Sequence, residues 1–256
     1  MAELPFFDAN CGLGASGKAP FIGFPKADDL LAYMDRCGVA EALVYHLLSV
    51  EQDPATGNRE LLGAVAGQPR LHPAWVVLPH HTGAMPPPRE LVCQMLDSGG
   101  RAARMLPRGF KLAFREWCVG ELLEELCEHR IPLFLDFGTW HWADPNADWD
   151  GVAWACSEFP DLPIIMVHEQ FGSARMSYPL LERHRNLHVE LSGTQTNRGV
   201  ETIAREYGAG HLLFGTQLPF FEAGPALATT AYLELPEGEK RLIAGGNLRR
   251  LLEGVR

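Results

Sequence analysis

Short apolar runs recur along the chain, beginning near Leu4, Ala40, Arg70, Arg101, Ile131, Leu162, Leu187 and His211. They are 36, 30, 31, 30, 31, 25 and 24 residues apart, and each interval is long enough for a strand, a helix and two turns. The intervening segments carry one apolar stripe at helical spacing: Leu30, Leu31, Met34 and Cys37, then Leu91, Val92, Met95 and Leu96, then Leu122, Leu123, Leu126 and Cys127. Eight strand-helix units in succession predict a parallel sheet with right-handed crossovers. The expected fold is therefore a (β/α)8 TIM barrel, one domain over residues 1–256. A doubly wound open sheet is the alternative, and the evenness of the repeat favours closure. Pro86-Pro87-Pro88 reads as a loop that starts a helix.

Two connections are longer than the rest. Gly12 to Pro25 follows the first strand, and Gly138 to Asp150, holding Trp140, His141, Trp142 and Trp149, follows the fifth. Both fall on the face at the carboxyl ends of the strands, where barrel enzymes build their sites. The second is expected to be either a pocket wall or lid, or a loop whose tryptophans pack on the barrel rim.

Composition narrows the class. With 46% hydrophobic and 21% charged residues the chain can bury a full core. Its 32 acidic and 22 basic residues give a net charge of −10, which argues against nucleic acid or an anionic membrane as partner. The start of the chain has no basic segment followed by an apolar run, and nowhere do 18 apolar residues stand together, so a cytoplasmic protein is expected. Six cysteines without C-x-x-C spacing read as reduced thiols. The expected partner is a small-molecule substrate, and a homodimer stays open.

Strand ends select the candidate chemistry. His168 ends the run Leu162–Val167, sharing a face with Ile164 and Met166. Asp136 ends Ile131–Leu135, and Arg104 lies in Arg101-Ala-Ala-Arg104-Met-Leu. A guanidinium among alanines and apolar residues needs an anion, supplied either by a substrate carboxylate or by Asp136. Asn10, Gln217, His46 and His80 end other proposed strands, and with Trp140 they complete the expected substrate-binding set. His168 and Asp136 are the expected acid-base pair. No G-x-G-x-x-G after a strand, P-loop, G-x-S-x-G or Schiff-base lysine motif is present.

The segment His211-Leu-Leu-Phe-Gly-Thr-Gln217-Leu-Pro219, followed by Asn247-Leu-Arg-Arg-Leu251-Leu252, resembles the barrel closure "rLLFGTDxP … NxxRLL" of the amidohydrolase-related (amidohydrolase 2) family of metal-dependent hydrolases. Leu162–Gly172 resembles its "fPdlkivlaHlGg", with His168 on the histidine, and Leu187–Gly193 resembles its "vyldtSg". The resemblance implies a TIM barrel and a hydrolase or decarboxylase acting on a small carboxylated molecule at a metal site. Four motif positions depart: Asn10 and Gly12 stand where the family has its metal-clamping histidines, Asp136 where it has a histidine, and Gln217 where it has a metal-binding aspartate. No cofactor is therefore expected, a weakly held divalent ion such as zinc being the alternative. A non-catalytic barrel that keeps only a binding pocket is the second functional reading.

Overall fold

The computed structural model describes residues 4–18, 22–138, 147–168, 171–194 and 197–256. Eight parallel strands run in sequence order: β1 (Phe6–Leu13), β2 (Val39–His46), β3 (Leu71–Val76), β4 (Ala102–Met105), β5 (Leu133–Leu135), β6 (Ile164–Met166), β7 (Leu187–Glu190) and β8 (Leu212–Leu213). The ring is closed beside β8, where Ala9 N donates to Phe214 O (2.9 Å) and Gly12 N to Leu218 O (2.7 Å). A buried carboxylate reinforces this seam: Asp8 accepts from Thr216 N (3.0 Å) and from the Thr216 hydroxyl. The structure is thus the expected TIM barrel, with helices between successive strands.

Strand alternation divides the core into two layers. Phe7, Ala9, Leu43, Ala74, Ala102, Phe134, Ile165, Val167 and Leu213 fill the inside of the ring, joined by Leu248 and Leu252 from the last helix, Asn247–Glu253. Their neighbours in sequence, such as Leu133, Leu135, Ile164, Met166, Val189 and Leu212, face the helices. Each fully buried large side chain contributes about 1.5–3 kcal/mol of transfer free energy, so reversing the register of one strand would lose several at once. Asn247 explains its place in the closing motif: its amide donates to Ala209 O and to Leu212 O, both at 2.8 Å, and pins the last helix to β8.

The helices follow the predicted stripes. In the helix Ala27–Cys37, Leu30 and Met34 are buried; in Glu116–Glu128, Val119, Leu122, Leu123 and Leu126 are. The helix Pro88–Asp97 begins at the third proline, which fits the first turn because its missing N–H has no helical partner there. Trp149, expected in a loop, instead starts the helix Trp149–Glu158, capped by Asp148 accepting from Gly151 N (3.1 Å). Among the described residues no helix is long and apolar enough to cross a membrane.

One positional expectation is corrected. Ile164 and Met166 point outward to the helices, so His168 would point outward too if the strand continued. It does not, because β6 ends at Met166 and His168 adopts a left-handed backbone (φ 59°) that swings its side chain back over the mouth. Gln217 uses the same device after β8 (φ 60°). Such conformations are uncommon outside glycine and cluster where a fold places functional side chains.

Candidate active site at the carboxyl end of the barrel

Six polar side chains from five strands and their ends interlock at the mouth. Arg104, from β4, is 2% exposed; its Nη2 donates to Asp136 Oδ2 (2.5 Å) and its Nη1 to Asn10 Oδ1 (3.0 Å). The guanidinium carbon lies 4.2 Å from the ring centre of Tyr45 on β2, so its uncovered face has a π-system against it. Among the described residues its Nε finds no hydrogen-bond partner. Of the two anions open to Arg104, the structure supplies Asp136. Burial acts to raise the Asp136 pKa, but the Arg104 charge and the Arg104 and Gly138 donors outweigh it and hold the carboxyl below its ordinary value.

Asn10 turns the network toward β7. Its amide Nδ2 donates to Glu190 Oε2 (3.0 Å), and Glu190 also accepts from Ser192 N (2.7 Å) and the Ser192 hydroxyl (2.7 Å). The backbone N of His168 approaches the same carboxylate at 3.4 Å. His168 Nδ1 lies 3.1 Å from Ser192 Oγ, and its Nε2 lies 3.8 Å from Asp136 Oδ2. A hydrogen-bonded chain results, running Asp136, Arg104, Asn10, Glu190, Ser192 and His168, whose Nε2 turns back toward Asp136 without bonding to it. Burial pushes the His168 pKa down to about 4, so the ring is neutral at physiological pH. Burial raises Glu190 to about 7, against the lowering effect of its Ser192 donors.

A cavity of about 360 Å³ opens onto this network, lined by Asp136, His168, Gln217, Tyr45, Phe137 and Phe220, with Lys18 and Arg108 on its outer wall. The structure therefore brings His168, Asp136, Arg104 and Asn10 into one hydrogen-bonded set and places Gln217 in the same cavity. His46 lies apart from it: it ends β2 but turns its Nδ1 to accept from Leu48 N (3.2 Å), capping the next helix and packing over Gly14. His80 is not at the mouth at all. β3 ends at Val76, and His80 sits in a later turn, stacked on His81 (4.2 Å), lining a separate groove with Trp117 and Glu121. Trp140 lies outside the described residues.

Four residues of the site are not singled out as candidates by the sequence. Glu190 carried a signal, a lone charge in the apolar run Leu187-His-Val-Glu-Leu, and Ser192 follows it at the strand end. Lys18 and Arg108 stand in loops, where no periodicity distinguishes them from any solvated cation.

A parallel barrel with buried carboxylates, a neutral histidine and a cavity at its carboxyl end defines the class as an α/β barrel with a polar site at its mouth. The sequence profile of the amidohydrolase family matches residues 6–254, and the chain belongs to that family. No curated protein is similar enough to count as a match. Among solved structures, an uncharacterized TIM-barrel protein of Bordetella bronchiseptica is 16% identical, covering 98% of this chain and 99% of its own, with a TM-score of 0.77. The 5-carboxyvanillate decarboxylase LigW of Sphingomonas paucimobilis is 15% identical over 99% of this chain and 100% of its own, with a TM-score of 0.73. A dihydroxybenzoic acid decarboxylase of Polaromonas sp. JS666, solved with bound manganese and the inhibitor 2-nitroresorcinol, is 17% identical over 98% of this chain and 97% of its own, with a TM-score of 0.68.

The manganese in that last structure overturns the expectation of a protein without cofactor, since a barrel of the same fold holds a divalent metal. In this chain the described residues do not by themselves make a complete ligand set. No group of three or more His, Cys, Asp or Glu side chains among them is arranged to hold a metal ion, and Asp136 is engaged by Arg104.

Proposed function

We propose that this protein is an amidohydrolase-fold enzyme, a hydrolase or a decarboxylase, acting on a small carboxylated organic molecule in the cavity at the carboxyl end of the barrel. The observation that carries the reading is His168. It is a buried, neutral imidazole on the cavity wall, with Nδ1 toward Ser192 and Nε2 on the Asp136 side, placed to exchange a proton with a substrate. Both reaction types need that group: hydrolysis to take a proton from water, decarboxylation to deliver one to carbon.

The cavity volume suits a ligand of about one ring. Arg104 serves as an internal counter-ion, so the carboxylate anchor passes to Arg108 and Lys18, which are exposed on the cavity wall. The six cysteines, all free, support a reducing, cytoplasmic setting.

A thermal-shift panel of benzoates, hydroxybenzoates, pyrone carboxylates and aliphatic acids, followed by chromatography of each acid that binds, tests the proposal. At least one acid is expected to stabilise the protein and to be converted. Arg108→Met should abolish the stabilisation, His168→Asn should abolish conversion while keeping it, and His80→Ala should change neither. Binding without conversion across the whole panel would leave the non-catalytic barrel as the correct reading. Stabilisation that survives Arg108→Met but not His80→Ala would place the site in the other groove.

A further inference from the structure

Glu190 is the most deeply enclosed charge-bearing group of the mouth, fully buried at 0% exposure, and it does not line the cavity. A carboxylate so placed needs a reason, because ionising it out of water is costly unless every oxygen is served. Its oxygens are served, but by a chain that leads outward: Ser192 Oγ is 2.7 Å from Glu190 Oε2 and 3.1 Å from His168 Nδ1. A hydroxyl has one proton, so it can donate to only one of these neighbours at a time. The surrounding backbone is shaped to allow the contact. A Cβ on Gly215 would lie 1.9 Å from Glu190 Oε1, and one on Gly193 would lie 2.7 Å from the His168 carbonyl carbon.

We propose that Glu190, Ser192 and His168 form a proton relay in which Glu190 is the remote acid-base group and the His168 ring changes tautomer without becoming an imidazolium. With Glu190 ionised, Ser192 Oγ–H donates to Glu190, His168 Nδ1–H donates to Ser192 Oγ, and Nε2 carries a lone pair. When Nε2 takes a proton, the Nδ1 proton passes to Ser192 Oγ and the Ser192 proton passes to Glu190 Oε2. Every atom keeps its valence. One proton has entered, and the negative charge on Glu190 has been discharged. The relay then runs in reverse, with Glu190 O–H donating to Ser192, Ser192 donating to Nδ1, and Nε2–H directed toward Asp136. Run backward, the same steps deliver a proton from Glu190 to the substrate.

The charges around the relay fit a proton held at Glu190 rather than on the ring. Arg104, from β4, faces Glu190, His168 and Asp136; it opposes a cationic imidazole and favours an anionic Glu190, while burial, the largest effect, and Asp8, from β1, oppose an anionic Glu190. Asp136, from β5, favours the imidazolium, but burial outweighs it. Tyr45, from β2, stays neutral throughout, its phenol pushed well up by burial.

The relay rests on the acid-base reading of the mouth, but its test needs no substrate, so the two can fail separately. Histidine-15N-labelled protein is titrated between about pH 5 and about pH 9, the span bracketing ordinary histidine titration. The His168 ring signals are identified by their loss in His168→Gln, and the Glu190 carboxyl carbon by its loss in Glu190→Gln. In the wild type, the protonated-type and lone-pair-type 15N positions of His168 should exchange between Nδ1 and Nε2 at the midpoint of the Glu190 titration. Ser192→Ala should abolish the exchange while Glu190 still titrates, and Ser192→Thr, which restores the hydroxyl, should restore it. Glu190→Gln should leave one tautomer at every pH. A wild-type ring that keeps one tautomer throughout, or whose two nitrogens become protonated together, would overturn the relay. So would an exchange that persists in Ser192→Ala.

Discussion

The Glu190 carboxylate occupies the space a side chain at position 215 would need: Oε1 stands 1.9 Å from where a Cβ on Gly215 would be built. The glycine after Phe214 thus belongs to the architecture of the mouth rather than to a flexible turn. Gly215→Ala should either push Glu190 out of its place or strain β7 against β8, and such overpacking costs about 1–3 kcal/mol. Denaturant unfolding would show this as a lower midpoint with an unchanged slope. An unaltered midpoint, with the Glu190 carboxyl titrating as in the wild type, would contradict the packing described.

Arg104 and Asp136 form the second test. Both are nearly inaccessible to water, and each is the other's counter-charge at 2.5 Å. Arg104→Met leaves a buried carboxylate without its cation and should lower stability by about 3–5 kcal/mol. Adding Asp136→Leu removes the stranded charge and should recover much of that loss, because the penalty lies in the unpaired ion rather than in the missing contact. Urea unfolding of the two single variants and the double variant measures it. A single variant as stable as the wild type would mean that the pair is not formed in solution.

His188 lies on the inner side of β7, at the other end of the strand from Glu190, and among the described residues its Nδ1 has no partner. Burial, with His211 and Arg250 nearby, pushes its pKa from 6.5 down to about 3. A folded pKa below the unfolded one means that the unfolded chain binds more protons in this window, so stability is full above the unfolded value and falls as the pH drops toward the folded one. His188→Leu should therefore reduce the acid slope between about pH 6 and about pH 4 by up to one proton, about 1.4 kcal/mol per pH unit. His168 adds a slope of the same sign and Glu190 one of opposite sign, so the comparison is made between variant and wild type rather than on either curve alone. Coincident slopes would show that His188 is not held neutral.

Much of the barrel was legible in the order of residues. Even spacing of apolar runs with helical stripes between them gave the strand count, because strand and helix each impose a period that depends only on neighbours in sequence. The closing motif could be read as far as Asn247, whose two bonds, to Ala209 in the turn before β8 and to Leu212 at its start, require an amide at that place. His168, Asp136, Arg104 and Asn10 were found by one rule, that polar residues at strand ends meet at the mouth. The same rule misplaced His80, because β3 stops at Val76 and the chain leaves the barrel before reaching it.

Tertiary structure alone decided which of these groups face one another. Alternation assigned His168 to the face of Ile164 and Met166, and a single positive φ returned it to the site. Periodicity has no means of announcing such a reversal, which is fixed by packing around the strand end. Whether Arg104 meets a substrate or Asp136, and whether Glu190 is a core oddity or part of a relay, depends on distances between strands separated by 32 to 180 residues. Sequence determines which chemistry each strand carries to the mouth. The contacts across the mouth are set by how the closed ring staggers its strands, a property of all eight together and of none alone.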